Sequence, residues 1–333
     1  RHKPPDWTMT RIALQISPQA RSAYFKDYLQ VAEQELRLVM DVDELPIRRA
    51  GPLEFLELDC SEESFASLLR LSFVQGLYIA EGTRLTPLDS VAEFSLHEDF
   101  VFGQKYKGKT NEHLTQLLLN MGLTAIGAGP GAGEGIKLLD PMCGRGTTLL
   151  WAMRYGMKAK GIEQDARVIA DIHRNLKKWT KLHKVKHKLS QGFVGKANKK
   201  DLGKFINFSL ESTAMRVIVG DAREADKLLK NEKFDLIVSD IPYGVQHFTT
   251  EKTRNPLAVL TQSIEAWKQS LKSTGAVVLA FNSYLPKRTV LIDTFEQAGF
   301  EAQLLSAPHR MSESIVRDIV VFKLPGLPRA PES

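Results

Sequence analysis

Cysteine is scarce in this chain of 333 residues. Cys60 and Cys143 are the only two, too few for a disulfide framework and in keeping with a reducing compartment. No apolar run approaches the roughly 20 residues that a membrane-spanning helix needs. The longest candidates, such as GAVVLAF (275–281), are strand-sized, and the opening RHKPPDWTMTR lacks the apolar stretch of a secretory leader. His113 and His173 fall on helical patterns without metal-ligand spacing, so no metal is expected. No internal repeat stands out either. These absences leave a cytoplasmic globular protein, 43% hydrophobic and 25% charged, with length for two domains or one large domain and an appendage.

Charge is present in excess of one sign. The net charge is +6, and its distribution matters more than its sum. Between Lys177 and Lys204 stand ten lysines and two histidines (His183, His187) against a single acid, Asp201. A solvated loop has that composition. So does a phosphate-contacting arm, because clustered lysines gain affinity by releasing counterions from nucleic acid. The run alone does not choose between them.

From residue 136 onward, strand-like runs alternate with amphipathic segments. The strands are IKLLD, AKGIE, RVIVGD, FDLIVSD, AVVLAF, AQLLS and IVRDIVVFK; between them lie TTLLWAMRYG, DARVIADIHRNLKKW, AREADKLLKN and PLAVLTQSIEAWKQSLK. That rhythm predicts an α/β fold with a doubly wound, mainly parallel sheet over 136–325. The last two strands have no helix between them, so they form a hairpin and one strand runs antiparallel. A Lys-rich insertion (181–214) interrupts the pattern, and 326–333 is a tail. Ahead of the sheet, KTNEHLTQLLLNMGL (109–123) reads as an amphipathic helix. GAGPGAGEG (127–135) precedes a strand rather than following one and contains Pro130, so within 104–135 it reads as a flexible linker, not a phosphate loop.

Residues 1–103 form a separate, small α+β domain. RIALQIS, LEFLELD and GLYIAEG are its strands; SPQARSAYFKDYLQVAEQELRLVM and SEESFASLLRLS are its helices, the second capped by Ser61. The four tryptophans (7, 151, 179 and 267) sit in or near helical patterns, where packing is their expected role.

Open parallel sheets bind ligands at the carboxyl ends of their strands. The first strand here ends in DPMCGRGTTLL, where Gly144 and Gly146 let the backbone approach a ligand and the helix beginning near Thr147 points its free N–H groups at it. The second strand ends in Glu163, 23 residues after Asp140, where an acid can accept from both hydroxyls of a ribose. The third ends in VGDARE, placing Asp221 for an adenine amine or as a helix cap, and the fourth in Asp240. Four successive strands thus deliver carboxylates to one edge. Such a set suits a nucleoside with a cationic, amine-bearing tail and repels a pyrophosphate, which favours S-adenosylmethionine over a dinucleotide.

The pairing of D-P-x-C-G-x-G-T with S-D-x-P-[FY]-G resembles class I S-adenosylmethionine-dependent methyltransferases. More narrowly, it resembles the THUMP-associated tRNA guanine-N2 methyltransferases, over residues 105 to 323. The resemblance implies a Rossmann-like seven-stranded sheet with an antiparallel last strand. It implies cofactor contacts by Thr110, Asp140, Cys143, Gly144, Gly146, Thr147, Glu163, Gln164, Asp221, Ala222 and Asp240. The N-terminal stretch faintly resembles the ferredoxin-like domain at the front of this group. Only about twenty residues separate Gly82 from KYKGKTNE, which leaves no room for a THUMP module.

SDIPYG (239–244) then acquires a role. Asp240 and the carbonyl of Ile241 can accept both hydrogens of a nucleobase amine, Pro242 stiffens the turn, and Tyr243 offers a face for base stacking. Substrate contacts are expected from Tyr243, Gly244, His247, Arg254 and Arg310, with Lys252 nearby and with Lys184, Lys186 and Lys188 as the RNA grip. The expectation is an RNA guanine-N2 methyltransferase acting on tRNA, with an accessory subunit conceivable and the oligomeric state open. The rivals are a DNA adenine-N6 or cytosine-N4 methyltransferase, a protein glutamine-N5 methyltransferase, and a non-enzymatic RNA-binding module with a vestigial cofactor fold.

Overall fold

The computed structural model describes residues 8–106, 108–241, 256–282, 287–303, 309–312 and 315–326. The first unit runs β1 (Thr10–Ile16), α1 (Pro18–Tyr24), α2 (Tyr28–Val39), β2 (Ile47–Ala50), β3 (Leu53–Cys60), α3 (Phe65–Leu69), β4 (Val74–Glu81) and β5 (Arg84–Pro87). Its strands form an antiparallel sheet in the order β2-β3-β1-β4-β5. The first four strands and their helices follow β-α-β-β-α-β connectivity. The single helix expected over 17–40 is broken at Phe25, whose backbone is left-handed at φ 49°. Ser17 caps α1 through Oγ, which accepts from the Ala20 N–H at 3.0 Å, with Pro18 behind it. Ser61 stands ahead of the turn at Glu62–Ser64, yet its side chain makes no capping bond. A 3₁₀ turn, rather than an α-helical one, opens that segment.

Two helices lead to the second sheet, α4 (Asp99–Phe102) and α5 (Glu112–Ala125). The second of these departs from expectation. All residues from Leu114 to Leu123 are buried, so α5 is a central helix and not an amphipathic surface one. It lies between α2 on one side and the strands of the large sheet on the other. Its polar residues are covered too, because the first unit supplies their partners: Asn120 donates to Glu35 at 2.8 Å and Gln116 to the Arg70 carbonyl at 2.8 Å. At Gly122 a Cβ would already meet Leu236 at 3.1 Å, which is how closely the helix approaches the sheet.

The large sheet contains β6 (Lys137–Asp140), α6 (Thr147–Arg154), β7 (Lys158–Glu163), α7 (Val168–Leu182), β8 (Lys188–Phe193), β9 (Lys204–Ser209), β10 (Ala214–Val219), α8 (Ala225–Leu228), β11 (Phe234–Asp240), α9 (Pro256–Gln269), β12 (Leu271–Asn282), α10 (Arg288–Gln297), β13 (Glu301–Gln303), β14 (His309–Ser312) and β15 (Ile315–Lys323). The order is β13-β15-β12-β11-β6-β7-β10-β9-β8, with β14 paired to β15. Strands β12, β11, β6, β7 and β10 are mutually parallel, and β15 runs antiparallel between β12 and β13. Among the described residues the sheet has ten strands rather than the expected seven, the hairpin β8–β9 and short β14 being the additions.

Both faces of this sheet are covered, which is why its strands read as apolar runs. Leu236 and Val238 face α5 and α6 in one core, while Ile237 joins Leu260, Ile264 and Trp267 in the other. Helix α10 has no counterpart among the expected segments. The Lys-rich insertion is not a loop: it is a hairpin whose β9 pairs antiparallel with β10 and extends the sheet. The Gly-rich segment is likewise not a free linker. Arg70 donates to the carbonyls of Pro130, Gly131 and Ala132, and a Cβ on Gly133 would lie 1.6 Å from the Tyr155 carbonyl oxygen. Glycine is there because only it fits.

Candidate active site

The strand order reverses between β6 and β11, and the acids converge on the carboxyl ends around that point. Asp140, at the end of β6, is buried and accepts from Ser239 Oγ of β11 at 2.7 Å and from the Met142 N–H at 3.0 Å, with Thr148 as a third donor. Burial pushes its carboxyl up to about 6, and the nearby Glu163 charge adds to that. Glu163 accepts from the Gly144 N–H at 2.9 Å and the Asp165 N–H at 3.0 Å. The Gly-rich loop is therefore tied directly to the acid of the next strand. Desolvation raises the Glu163 carboxyl as well.

The loop has the shape for a ligand. Gly144 and Gly146 have φ of 51° and 85°, and a Cβ on Gly144 would meet nothing within 4 Å. That open space, lined by carboxylates whose ionised forms are costly until a cation arrives, fits a nucleoside carrying a cationic tail. Thr147 begins α6, and its Oγ1 lies 3.2 Å from the Tyr106 hydroxyl. Cys143 differs from expectation. Its thiol is buried, raised by desolvation, and turned toward Gly161, where a Cβ would come within 2.6 Å of its sulfur. It packs beneath the loop. Asp221 accepts from the Arg223 N–H at 2.9 Å and pairs with the Arg223 guanidinium at 2.7 Å, so it caps the short turn at Ala222–Glu224. The carbonyl of Ala222 accepts from the indole of Trp267 at 3.2 Å. Gln164 stands half-buried after Glu163.

At the end of β11 the structure gathers the expected pair and adds to it. Thr110, just ahead of α5, donates to Asp240 Oδ2 at 2.8 Å. The Ile241 N–H is fixed to the Ala280 carbonyl at 2.8 Å. Arg317 of β15, which the sequence did not single out, pairs with Asp240 and also reaches the Ile241 carbonyl at 3.3 Å. It is 4% exposed, and burial lowers its guanidinium to about 10, so it remains cationic at neutral pH. One buried arginine thus contacts both acceptors of the SDIPYG turn. A carboxylate and a carbonyl have lone pairs enough to accept from it and from a second donor.

Tyr106 was also unassigned. Its ring stacks under Arg145 at 4.5 Å, and Arg145 in turn pairs with Asp171 at 2.9 Å. Lys109 steadies the same segment through the carbonyls of Val101 and Gln104. Pro242, Tyr243, Gly244, His247, Lys252 and Arg254 lie outside the described residues, as does the side chain of Arg310.

Lys184, Lys186 and Lys188 fall far from the crevice. Lys188 is in register with Ser209, Ser209 with Ala214, and Ala214 with Lys158, the first residue of β7. They stand at the amino ends of the parallel strands, about 17 Å along the sheet from the carboxylates at ~3.3 Å per residue. His97, Asp99 and His183 cluster elsewhere, within 4.8 Å. The two imidazoles are stacked, with centroids 3.7 Å apart and planes at 23°. Their in-plane lone pairs cannot then converge on one ion, and His183 spends its Nε2 on Asp99 at 2.8 Å.

The chain is similar to known methyltransferases. The sequence profile of the RMKL-like methyltransferase domain matches residues 124–301. The tRNA (guanine(10)-N2)-dimethyltransferase of Methanothermobacter thermautotrophicus is 23% identical over 190 residues, covering 57% of this chain and 44% of that protein. The chain thus spans less than half the length of this curated relative. Among solved structures, TrmN from Thermus thermophilus superposes with a TM-score of 0.45 at 14% identity, over 84% of this chain and 59% of its own. A TehB-like SAM-dependent methyltransferase from Corynebacterium glutamicum gives 0.37 at 18% identity, over 58% and 83%.

Proposed function

The chain belongs to the family of RMKL-like methyltransferase domains, and from that premise we propose that it methylates the N2 amine of a guanine in tRNA. S-adenosylmethionine supplies an electrophilic methyl group on a cationic sulfonium, and the crevice of Asp140, Gly144, Gly146, Glu163 and Asp221 is where it would be held. The observation that carries the reading is the end of β11, where Asp240 and the Ile241 carbonyl lie side by side and Ser239 links the same strand to Asp140.

An exocyclic amine is a weak nucleophile because its lone pair is delocalised into the ring. Two acceptors that draw on both N–H groups free that lone pair and aim it at the methyl carbon. The bound cofactor would supply the methyl group, its C–S bond giving way to the new N–C bond, and the Asp240 carboxylate would take the surplus proton from the nitrogen. Thr110 and Arg317 hold that carboxylate from two sides. No strongly tuned general base is needed, because the proton departs after the nitrogen has become acidic. The guanine and tRNA assignments draw on the SDIPYG pattern and on the activity for which the Methanothermobacter relative is named.

Transfer of labelled methyl from S-adenosylmethionine into bulk RNA and, in parallel, genomic DNA, followed by nucleoside digestion, tests this. We expect N2-methylguanosine from RNA, reduced about a thousandfold by Asp240→Ala, the scale of a lost transition-state acceptor. Mass spectrometry counts whether one or two methyl groups are added. Methylated adenine or cytosine from DNA would move the substrate to the DNA rival and keep the chemistry.

A further inference from the structure

The lysine run is divided by the fold. While Lys184 to Lys188 stand at the amino ends of the parallel strands, the hairpin carries Lys196, Lys199, Lys200 and Lys204 to the other edge. Phe193 and Lys204 are in register across the hairpin, and Phe205 pairs with Ile218, one residue from the end of β10. The Gly203 N–H donates to the Val219 carbonyl at 2.8 Å. The tip between β8 and β9 therefore hangs beside Gly220 and Asp221, at the carboxylate edge. Counting four strand spacings of ~4.8 Å, β9 lies roughly 19 Å from β11 and the Asp240 turn.

The tip is built rather than slack. Asn198 Oδ1 accepts from the N–H groups of Lys200 and Leu202, both at 3.1 Å, and its amide donates to the Leu202 carbonyl at 2.8 Å. This clasp leaves Lys196, Lys199 and Lys200 exposed. Between the hairpin and α7 lies a cleft of about 620 Å³, with Arg167, His173, Arg174 and Lys177 on the helix side and Asp201 and Lys204 on the hairpin side. The acids nearby are few and partly engaged: Asp165 pairs with Arg167, and Asp171 with Arg145 and Arg174. Arg174 keeps 76% of its side chain exposed and so retains donors for an outside anion.

We propose that this cleft and the hairpin tip form the surface that holds the RNA backbone beside the crevice, in place of Lys184, Lys186 and Lys188. The inference rests on the RNA reading given above. A concave groove with cations on both walls follows a sugar–phosphate chain, whereas lysines at the far edge face away from any nucleotide presented to Asp240. The clasp at Asn198 removes part of the ordering cost, since the tip loop is already folded before RNA arrives.

The test compares two triple variants of equal charge in the full chain, K196E/K199E/K200E at the tip and K184E/K186E/K188E at the far edge, with bulk tRNA as the probe. Binding is measured from about 50 to 200 mM salt, and S-adenosylmethionine affinity and thermal melting report on the fold. The tip variant should bind tRNA at least tenfold more weakly, with a log–log salt slope shallower by about 2, as expected for three lost phosphate contacts. The far-edge variant should stay within about threefold of wild type. Equal losses in the two variants, or a tip variant that matches wild type while wild type binds tRNA, would overturn this inference alone. A wild-type protein that binds no tRNA at any salt would overturn the RNA reading and this surface with it.

Discussion

Glu35 and Asp140 are both carboxylates withdrawn from water, and burial raises both carboxyls. Their surroundings differ in kind. Glu35, on α2, accepts from the Ser72 N–H, the Ser72 hydroxyl and the Asn120 amide, so neutral donors from a loop and from α5 close around it. Tyr24 lies 2.9 Å from the Ser72 hydroxyl, and the Tyr155 hydroxyl donates to Asn120 at 2.7 Å, which completes a polar clasp between the first unit and the large sheet. Asp140 also has three donors, but it shares its strand edge with Glu163 and lies one hydrogen-bonded serine away from Asp240. An acid enclosed by neutral donors from several elements fastens them together. Acids assembled at one edge repel each other, and their arrangement makes sense when a cation joins them.

Three changes separate these roles, in descending order of expected effect. Glu35→Ala strands the Ser72 N–H and one of the two Asn120 amide hydrogens, the other staying on the Arg70 carbonyl, and should lower stability by about 3 to 5 kcal/mol, read from denaturant unfolding, while the remaining folded protein binds S-adenosylmethionine normally. A loss of cofactor affinity at unchanged stability would erase the distinction. Arg317→Met tests a third acid, the half-buried Asp240, whose partner is a full counter-charge. It should reduce kcat about a hundredfold, some 2.7 kcal/mol, with cofactor affinity within about twofold, and Arg317→Lys should recover part of the loss. A purely structural arginine would instead lower melting temperature and leave kcat per folded molecule intact.

Asp140 gives the third effect, whose ceiling is comparable to the second. Because its carboxyl is raised from 3.8 to about 6, its favourable contribution to the fold is complete below pH 4 and is lost as pH rises through 6. Asp140→Asn should therefore gain at most about 3 kcal/mol of stability at pH 8 relative to wild type, with the gain fading toward pH 4. A bound cation reverses that balance. In the wild type, S-adenosylmethionine affinity should weaken by up to tenfold per unit as pH falls below 6, about 1.4 kcal/mol, and the Asn variant should lack this dependence. Titration calorimetry between pH 5 and 8 decides it.

Much of the sheet was legible. FDLIVSD and IVRDIVVFK coincide with β11 and β15, and their continuous apolar runs follow from burial on both faces. The reversed strand came from the missing helix between the last two segments. Helix α10 escaped notice because Lys287 provides no side-chain cap and only Leu291 and Phe295 are buried in it. The hairpin's own alternation, with Ile206 and Phe208 inward, was masked by the lysines around it. Helix α5 looked amphipathic because Gln116 and Asn120 are polar. Their burial depends on a first unit that covers them, which no local pattern records.

The sequence by itself determined the parallel strands of the large sheet, their order of appearance and the acids at their ends. Those follow from short-range periodicity and from the rule that a parallel sheet presents the carboxyl ends of its strands together. Only the tertiary structure decided which remote groups meet. Arg317 reaches a carbonyl 76 residues away, and Asn120 an acid 85 residues away. Strand order and register set those distances, and they also send one part of a single lysine run to the crevice edge and another part away from it.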